Sequence, residues 1–299
     1  MRLRKFIKTW ILVIAMAVGM VFHDYIGAVK FITPWLIFVM LFITYTKINL
    51  REIKIGGLHL SLLAVQLLLS WIVYFALVWW NRDVACGAFM CVFISTATGA
   101  PVITSLLGGS IAVLVSYSLL SNLMFATCAP LFLSIISDSS KISFIDSFLL
   151  ICMEVLPMLL APLALAVVCR KVLPKQTKYV SEHQSISFYI WATALIIVIG
   201  NAVSFAMQQP AKDKLLMAVL AVVALCVCCT QFIIGRKLGG RYDDKVAGAQ
   251  GLGQKNTVLA IWVSMTYLHP IISLAPAAYV LWQNLINSAQ LWYHGRKEK

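Results

Sequence analysis

Ten apolar runs follow one another along this chain, at about residues 7–22, 28–46, 58–80, 84–107, 110–137, 146–169, 186–207, 215–235, 246–268 and 270–292. A helix needs roughly 20 apolar residues to cross the hydrocarbon core of a bilayer, and each run is near that length. The connections between them are short, so no large water-soluble domain fits anywhere. Only 12% of the residues are charged and 61% are apolar, against about a quarter and just under half in soluble domains. The expected fold is therefore an all-α integral membrane protein with ten transmembrane helices, solvated mostly by lipid. The first run follows Arg2, Arg4 and Lys5 as a signal peptide would, but no small-residue cleavage site follows, and it reads as a retained first helix.

With ten spans both termini lie on one side of the membrane. The loops on that side carry 18 Lys and Arg residues, the opposite loops carry five (Lys30, Arg82, Lys141, Lys212, Lys214), and the remaining one, Lys255, lies inside a span. Cytoplasmic loops hold the excess of basic residues, so both termini are expected in the cytoplasm. The net charge of +13 is accounted for by these loop residues, and a nucleic-acid partner is not expected. Short loops and the lack of appended domains suggest a bacterial inner membrane. Trp71, Trp79, Trp80, Trp282, Trp292 and Tyr293 fit an interfacial belt or packing. The eight cysteines lie in or at the ends of apolar runs, so a disulfide framework is not expected. Nothing polar accompanies Cys226, Cys228 and Cys229, which argues against a soft-metal site there, and no cofactor is implied.

Two runs are interrupted. The fourth contains Ser95-Thr96-Ala97-Thr98-Gly99-Ala100-Pro101 and the ninth Gly248-Ala249-Gln250-Gly251-Leu252-Gly253-Gln254-Lys255-Asn256. Gly99, Pro101, Gly251 and Gly253 are the expected helix breaks. Breaks free backbone groups that lipid cannot satisfy, so they are tolerated only where protein or a watery cavity surrounds them. Pro101 and Asn256 are 155 residues apart, about half the chain. The breaks thus occupy corresponding places in two five-helix halves, residues 1–145 and 146–299, of a single membrane domain. Five is odd, so the halves are inverted repeats. Inverted repeats with paired, crossed discontinuous helices 4 and 9 point to a secondary transporter. Kinked packing helices with no cargo are the alternative, since small residues also serve close helix contact.

Glu154 and Lys255 are the charged residues well inside spans. A charge at the bilayer centre costs at least about 2.5 kcal/mol, so each should face protein interior or water. Lys255 is the strongest functional signal, and a purely structural ion pair with Glu154 is its plain alternative.

Asn256-Thr257-Val258-Leu259-Ala260, Tyr267-Leu268-His269-Pro270, Ala275-Pro276 and Trp282-Gln283-Asn284 resemble the motifs of the ninth and tenth helices of the bile acid:sodium symporter family. Thr98, Val102, Thr104, Gly109, Ser116, Ser118 and Ser121 match its fourth and fifth helices more loosely. The resemblance implies a six-helix core domain with crossed broken helices, a four-helix panel domain, and alternating-access transport of organic anions, usually coupled to sodium. The departures fall on the coupling residues. The family's ninth-helix Glu falls at Gly251 and its motif Gln at Lys255. Its fourth-helix Ser-Asn pair falls at Ala100 and Pro101, and one fifth-helix hydroxyl at Leu114. Ser118 and the third-helix amide, Gln66, are kept.

A sodium ion beside a charged Lys255 would be repelled. The expectation is a sodium-independent carrier in which Lys255 replaces the bound cation, either permanently charged or carrying a proton. The cargo expected is a small organic anion, above all a carboxylate, with a proton as a candidate second passenger. Gln254, Asn256, Thr257, Thr98, Thr104 and Asn284 are the candidate polar contacts, each with helix-to-helix hydrogen bonding as its alternative. A sodium-coupled symporter, a non-transporting sensor or partner protein, and a carrier of thiophilic cargo such as arsenite beside Cys91 stay open. An enzyme is not expected, because the scattered His residues and the lack of clustered acids leave catalysis without its parts.

Overall fold

The computed structural model describes residues 14–46, 55–97, 100–136, 144–182, 185–208, 210 and 213–297. Helical turns at 14–21 and 23–26 are followed by α1 (Thr33–Thr46), α2 (Gly57–Val78), α3 (Arg82–Phe93), α4 (Ala100–Leu106), α5 (Ile111–Ile136) and α6 (Phe144–Val172). Then come α7 (Pro174–Glu182), α8 (Ser185–Gln208), α9 (Lys214–Gly240), α10 (Lys245–Gly253), α11 (Thr257–Tyr267) and α12 (Leu274–Lys297). Among the described residues there is no β-strand; a single antiparallel bridge joins Thr96 to Lys255. Three helices, α2, α5 and α9, are long and apolar enough to cross a bilayer, which marks the chain as a helical membrane protein.

The chain divides into two compact units, residues 1–47 with 161–213 and residues 48–160 with 214–299. Each therefore draws on both halves of the sequence. The first holds expected spans 1, 2 and 7 with the later part of the sixth; the second holds expected spans 3–5 and 8–10.

Within the first unit, α8 lies close against residues 14–21, where a Cβ on Gly19 would come 3.3 Å from the Gly200 nitrogen. Arg170, in the last turn of α6, donates to the Tyr45 and Thr46 carbonyls at 3.1 and 3.2 Å. A cation thereby closes the negative end of α1.

In the second unit, α3 is the innermost element, buried from Val84 to Phe93. It starts where the Asn81 side chain accepts from Val84 N at 3.0 Å, and α10 starts where Asp244 accepts from Ala247 N at 2.8 Å. Asp244 also accepts from Ser110 N at 3.0 Å, tying the α4–α5 turn to the α9–α10 turn. The α4–α5 turn carries Gly108 at φ 76°, a left-handed conformation that glycine adopts without penalty.

Helices α9 and α10 are in backbone contact through Gly235, Gly239 and Gly248. A Cβ on Gly248 would lie 2.7 Å from Gly239 Cα, which is the close approach small residues permit in membrane helices. Gly248→Val should lower the thermal midpoint of the purified protein by about 2–10 °C, since overpacking costs 1–3 kcal/mol. Gly27→Ala, where an added Cβ meets nothing within 4 Å, should leave the midpoint unchanged in the same melt.

Candidate functional site

The fourth and ninth expected spans are both interrupted, and they cross at their interruptions. Helix α3 ends at Phe93 and α4 begins at Ala100; α10 ends at Gly253 and α11 begins at Thr257. Between them, Ala97 N donates to Gln254 O at 3.1 Å and Asn256 N donates to Ser95 O at 2.8 Å, framing the Thr96–Lys255 bridge. The Thr96 hydroxyl donates to Gly251 O at 2.8 Å. Each break thus supplies the backbone partners that the other has lost.

Gly251 and Gly253, expected as breaks, lie inside α10, and the extended residues are 254–256. Those glycines serve contact. A Cβ on Gly251 would meet the Tyr117 ring at 2.9 Å, and one on Gly253 would run into the Phe232 ring. Pro101 sits in the first turn of α4, where a missing N–H costs little. Thr98 and Gly99 lie outside the described residues.

Side chains complete the joint in matched fashion. Gln66 on α2 donates to the Phe93 and Ile94 carbonyls, both at 2.9 Å, and accepts from the Tyr117 hydroxyl at 2.7 Å and Ser121 Oγ at 3.1 Å. Ser121 Oγ accepts from Thr96 N at 3.2 Å. In the second half of the chain, Gln283 Oε1 accepts from Lys255 N at 2.9 Å. Gln231 on α9 donates to Cys91 O at 3.1 Å and to the Tyr279 hydroxyl at 2.8 Å, and Tyr279 donates to Gly253 O at 2.8 Å. Thr96 with Lys255, Ser121 with Gln283, Tyr117 with Tyr279 and Gln66 with Gln231 form four pairs at like places in the two halves.

Lys255 is wholly buried, at 0% exposure. Its Nζ donates to Ile94 O at 3.3 Å, and among the described residues that carbonyl is its one acceptor, with no carboxylate in ion-pair range. An ammonium has three donors, so two are left without a described partner. The Ile94 carbonyl belongs to the C-terminal end of α3, the negative end of its dipole, where a cation is stabilised. Glu154 lies in α6, and its side chain is outside the described residues, as is any pairing with Lys255.

Three of the positions at which the expected sodium ligands are missing, Ala100, Leu114 and Gly251, lie in apolar packing. Ala97, Ala100 and Leu114 form one buried cluster, and the place of a carboxylate at Gly251 is filled by Tyr117 and by Leu114, whose Cδ1 would be 3.4 Å from an added Cβ.

The remaining expected site residues divide. Asn256 caps α11 by accepting from Leu259 N at 3.3 Å, while its Nδ2, the Thr257 hydroxyl and the neighbouring Ser95 hydroxyl are buried without a partner among the described residues. Gln254 turns toward Gln250, donating to its Oε1 at 2.5 Å. Thr104 is buried on α4 with its hydroxyl unpartnered, beside Gly109 and away from the bridge. Ser118 is buried, and its carbonyl accepts from Asn122. Asn284 is half-buried and donates to Val280 O of its own helix; the neighbouring Gln283 is the residue that reaches Lys255. Thr96, Tyr117, Ser121, Gln231 and Tyr279 are further members, and neutral polar residues in apolar runs, spaced alike in the two halves, are the signal that marks them. Among the described residues no group of three metal-ligating side chains comes together.

The sequence matches no protein-family model and no curated protein.

Removal of a buried hydrogen-bonding partner costs about 1–3 kcal/mol for each group stranded. Gln66→Leu should therefore lower the melting midpoint by at least about 5 °C. Tyr117→Phe in the Gln66→Leu background should cost clearly less than in the wild type, with a coupling of about 0.5–3 kcal/mol in a double-mutant cycle on chemical unfolding. Additive losses would mean that the two residues act separately.

Proposed function

We propose that this chain is a carrier of small organic anions, carboxylates above all, in which Lys255 stands permanently where a relative would bind a cation from solution. The observation that carries the reading is the buried ammonium at the C-terminal end of a half-helix, with two donors open and no carboxylate beside it among the described residues. Half-helix ends that meet at the bilayer midplane are how secondary transporters hold ions and charged cargo. The unpartnered Asn256 Nδ2 and Thr257 hydroxyl at the start of α11 add donors at the positive end of a second half-helix.

The reading extends to the architecture. On it the ten spans are inverted repeats 1–145 and 146–299 of one transport domain, with both termini cytoplasmic in a bacterial inner membrane; the matched residue pairs support the repeats. The chain is read as a divergent relative of the bile acid:sodium symporters and not as an enzyme. The apolar cluster of Ala97, Ala100 and Leu114 favours transport without sodium, because sodium needs several oxygen ligands in one small cage. A proton on Lys255 is the candidate coupling ion.

Ligands that bind the folded state raise its melting midpoint by mass action. Thermal unfolding across a panel of small carboxylates, followed by tryptophan fluorescence, should show stabilisation that is the same in sodium and in sodium-free buffer. Stabilisation seen only with sodium present would overturn the role given to Lys255. Lys255→Gln should weaken binding of the same carboxylate by about tenfold or more, the scale of one charge-assisted hydrogen bond of about 1.5–3 kcal/mol.

A further inference from the structure

The frame of the crossing is matched in its two halves, but its surroundings are not. Gln250 and Gln254 stand to Lys255 in sequence as Cys91 and Ser95 stand to Thr96. Along α12, Gln283, Asn287 and Gln290 stand to the joint as Ser121, Phe125 and Cys128 do along α5. One half carries carboxamides where the other carries thiols, hydroxyls and an aromatic ring.

The carboxamides are continuous. Gln283 holds Lys255 N, Gln254 donates to Gln250, and Gln250 Nε2 donates to Gln290 Oε1 at 2.8 Å. Going back from Lys255 to Gln250 and forward from Gln283 to Gln290 leads to the same hydrogen bond, so this seam of side chains between α10 and α12 runs from Lys255 toward the end that holds Asp244. Residues 283, 287 and 290 share one helix face, and Asn287 Oδ1 is buried there without a protein partner. Gln290 is half-buried at the outer end of the row.

In the first half the corresponding surroundings include a cluster of rings. Phe93 packs on Phe89, Phe125 and Phe132, each at 5.1 Å between centroids, and Trp71 packs on Phe89 and Phe132 at 5.1 and 5.0 Å. Water finds no hydrogen-bonding partner among such groups. Carboxamides offer both donors and acceptors and carry no charge to capture the ammonium.

We infer that the α10–α12 seam is the route by which Lys255 is reached by water and protons, and that it opens on the face carrying the basic loops, the cytoplasmic face by the residue count. The inference rests on the reading of Lys255 as the working cation. The titratable side chains packed around the crossing, among the described residues, are Cys91 on α3, Tyr117 on α5, Cys228 on α9 and Tyr279 on α12, all buried. None is a carboxylate that would hold the ammonium in place.

The test is the sidedness of access. Lys255→Cys is prepared in right-side-out and inside-out membrane vesicles and exposed to silver ion, a thiol-specific cation close to sodium in size. Thiols left unreacted are alkylated after denaturation and quantified peptide by peptide by mass spectrometry, so the native cysteines are read separately. Protection of the introduced thiol should be at least about tenfold faster in inside-out vesicles, the orientation that exposes the seam, and Gln250→Leu should abolish the difference. Asn287→Cys, which keeps Lys255, should show the same sidedness and covers the case in which the first variant does not fold. Equal or faster protection from the outside, or none from either side, overturns the route. Carboxylate stabilisation of the wild type is measured independently. Stabilisation with reversed sidedness removes only the route; inner access without stabilisation by any carboxylate removes the carrier reading and leaves the geometry of access standing.

Discussion

The structure depends on one exchange of backbone hydrogen bonds between two interrupted helices. Ser95, Thr96 and Ala97 lie against Gln254, Lys255 and Asn256 as a bridge with flanking bonds of 3.1 and 2.8 Å. Lipid cannot satisfy a broken helix, and a straight helix would need no partner. Each break is therefore tolerable only while the other is present, so four half-helices behave as one joint. Gln66 and Gln231 reinforce this joint from α2 and α9, holding carbonyls that the end of α3 leaves unpaired. A neutral side chain suits the task, since it satisfies carbonyls without adding a charge that would compete with Lys255.

Once the joint exists, a cation at the C-terminal end of α3 is electrostatically favoured. On the proposed reading the choice of a tethered ammonium in place of an ion from solution has a thermodynamic consequence. A dissolved ion binds in proportion to its concentration and so links cargo binding to its gradient. An ammonium fixed by its chain is present at every concentration of sodium, so that linkage is lost, and only its protonation is left to exchange with the solvent. The apolar packing of Leu114 with Ala97 and Ala100 belongs to the same change, because a cage with no ion to hold is better filled with methyl groups.

Much of this joint was legible in the sequence, for physical reasons that differ by residue. A lysine in an apolar run is conspicuous because its insertion is costly, so Lys255 could be singled out without a structure. The two breaks were legible for similar reasons, as polar and helix-breaking groups where lipid offers no partner, whereas Gln66 was picked out only by the family resemblance. Glycine was more ambiguous. Gly251 and Gly253 read as breaks but serve as contact surfaces for Tyr117 and Phe232, since the absence of a Cβ weakens a helix and also admits a neighbour. The choice of Asn284 over Gln283 shows a different limit. Adjacent helix residues point about 100° apart, and only the packing of α12 against the joint decides which carboxamide faces inward. The tyrosines were hidden because a buried tyrosine is ordinary core until its hydroxyl partner is known.

On the proposed reading, a matched frame with unmatched contents suits a carrier whose two approaches differ. If both halves were alike in every residue, the crossing would have no means to treat the two membrane faces differently. Thr96 and Lys255 occupy like places in the joint, yet one offers a hydroxyl and the other a charge. Carboxamides follow the joint along α12 where hydroxyl, ring and thiol follow it along α5. The backbone bonds of the joint tolerate this divergence because they involve no side chain, which leaves the residues around them free to become polar on one side and apolar on the other. On the proposed reading, the gradients set the direction of net transport, the side chains around the crossing set how readily each face reaches it, and the crossing itself supplies the common point between them.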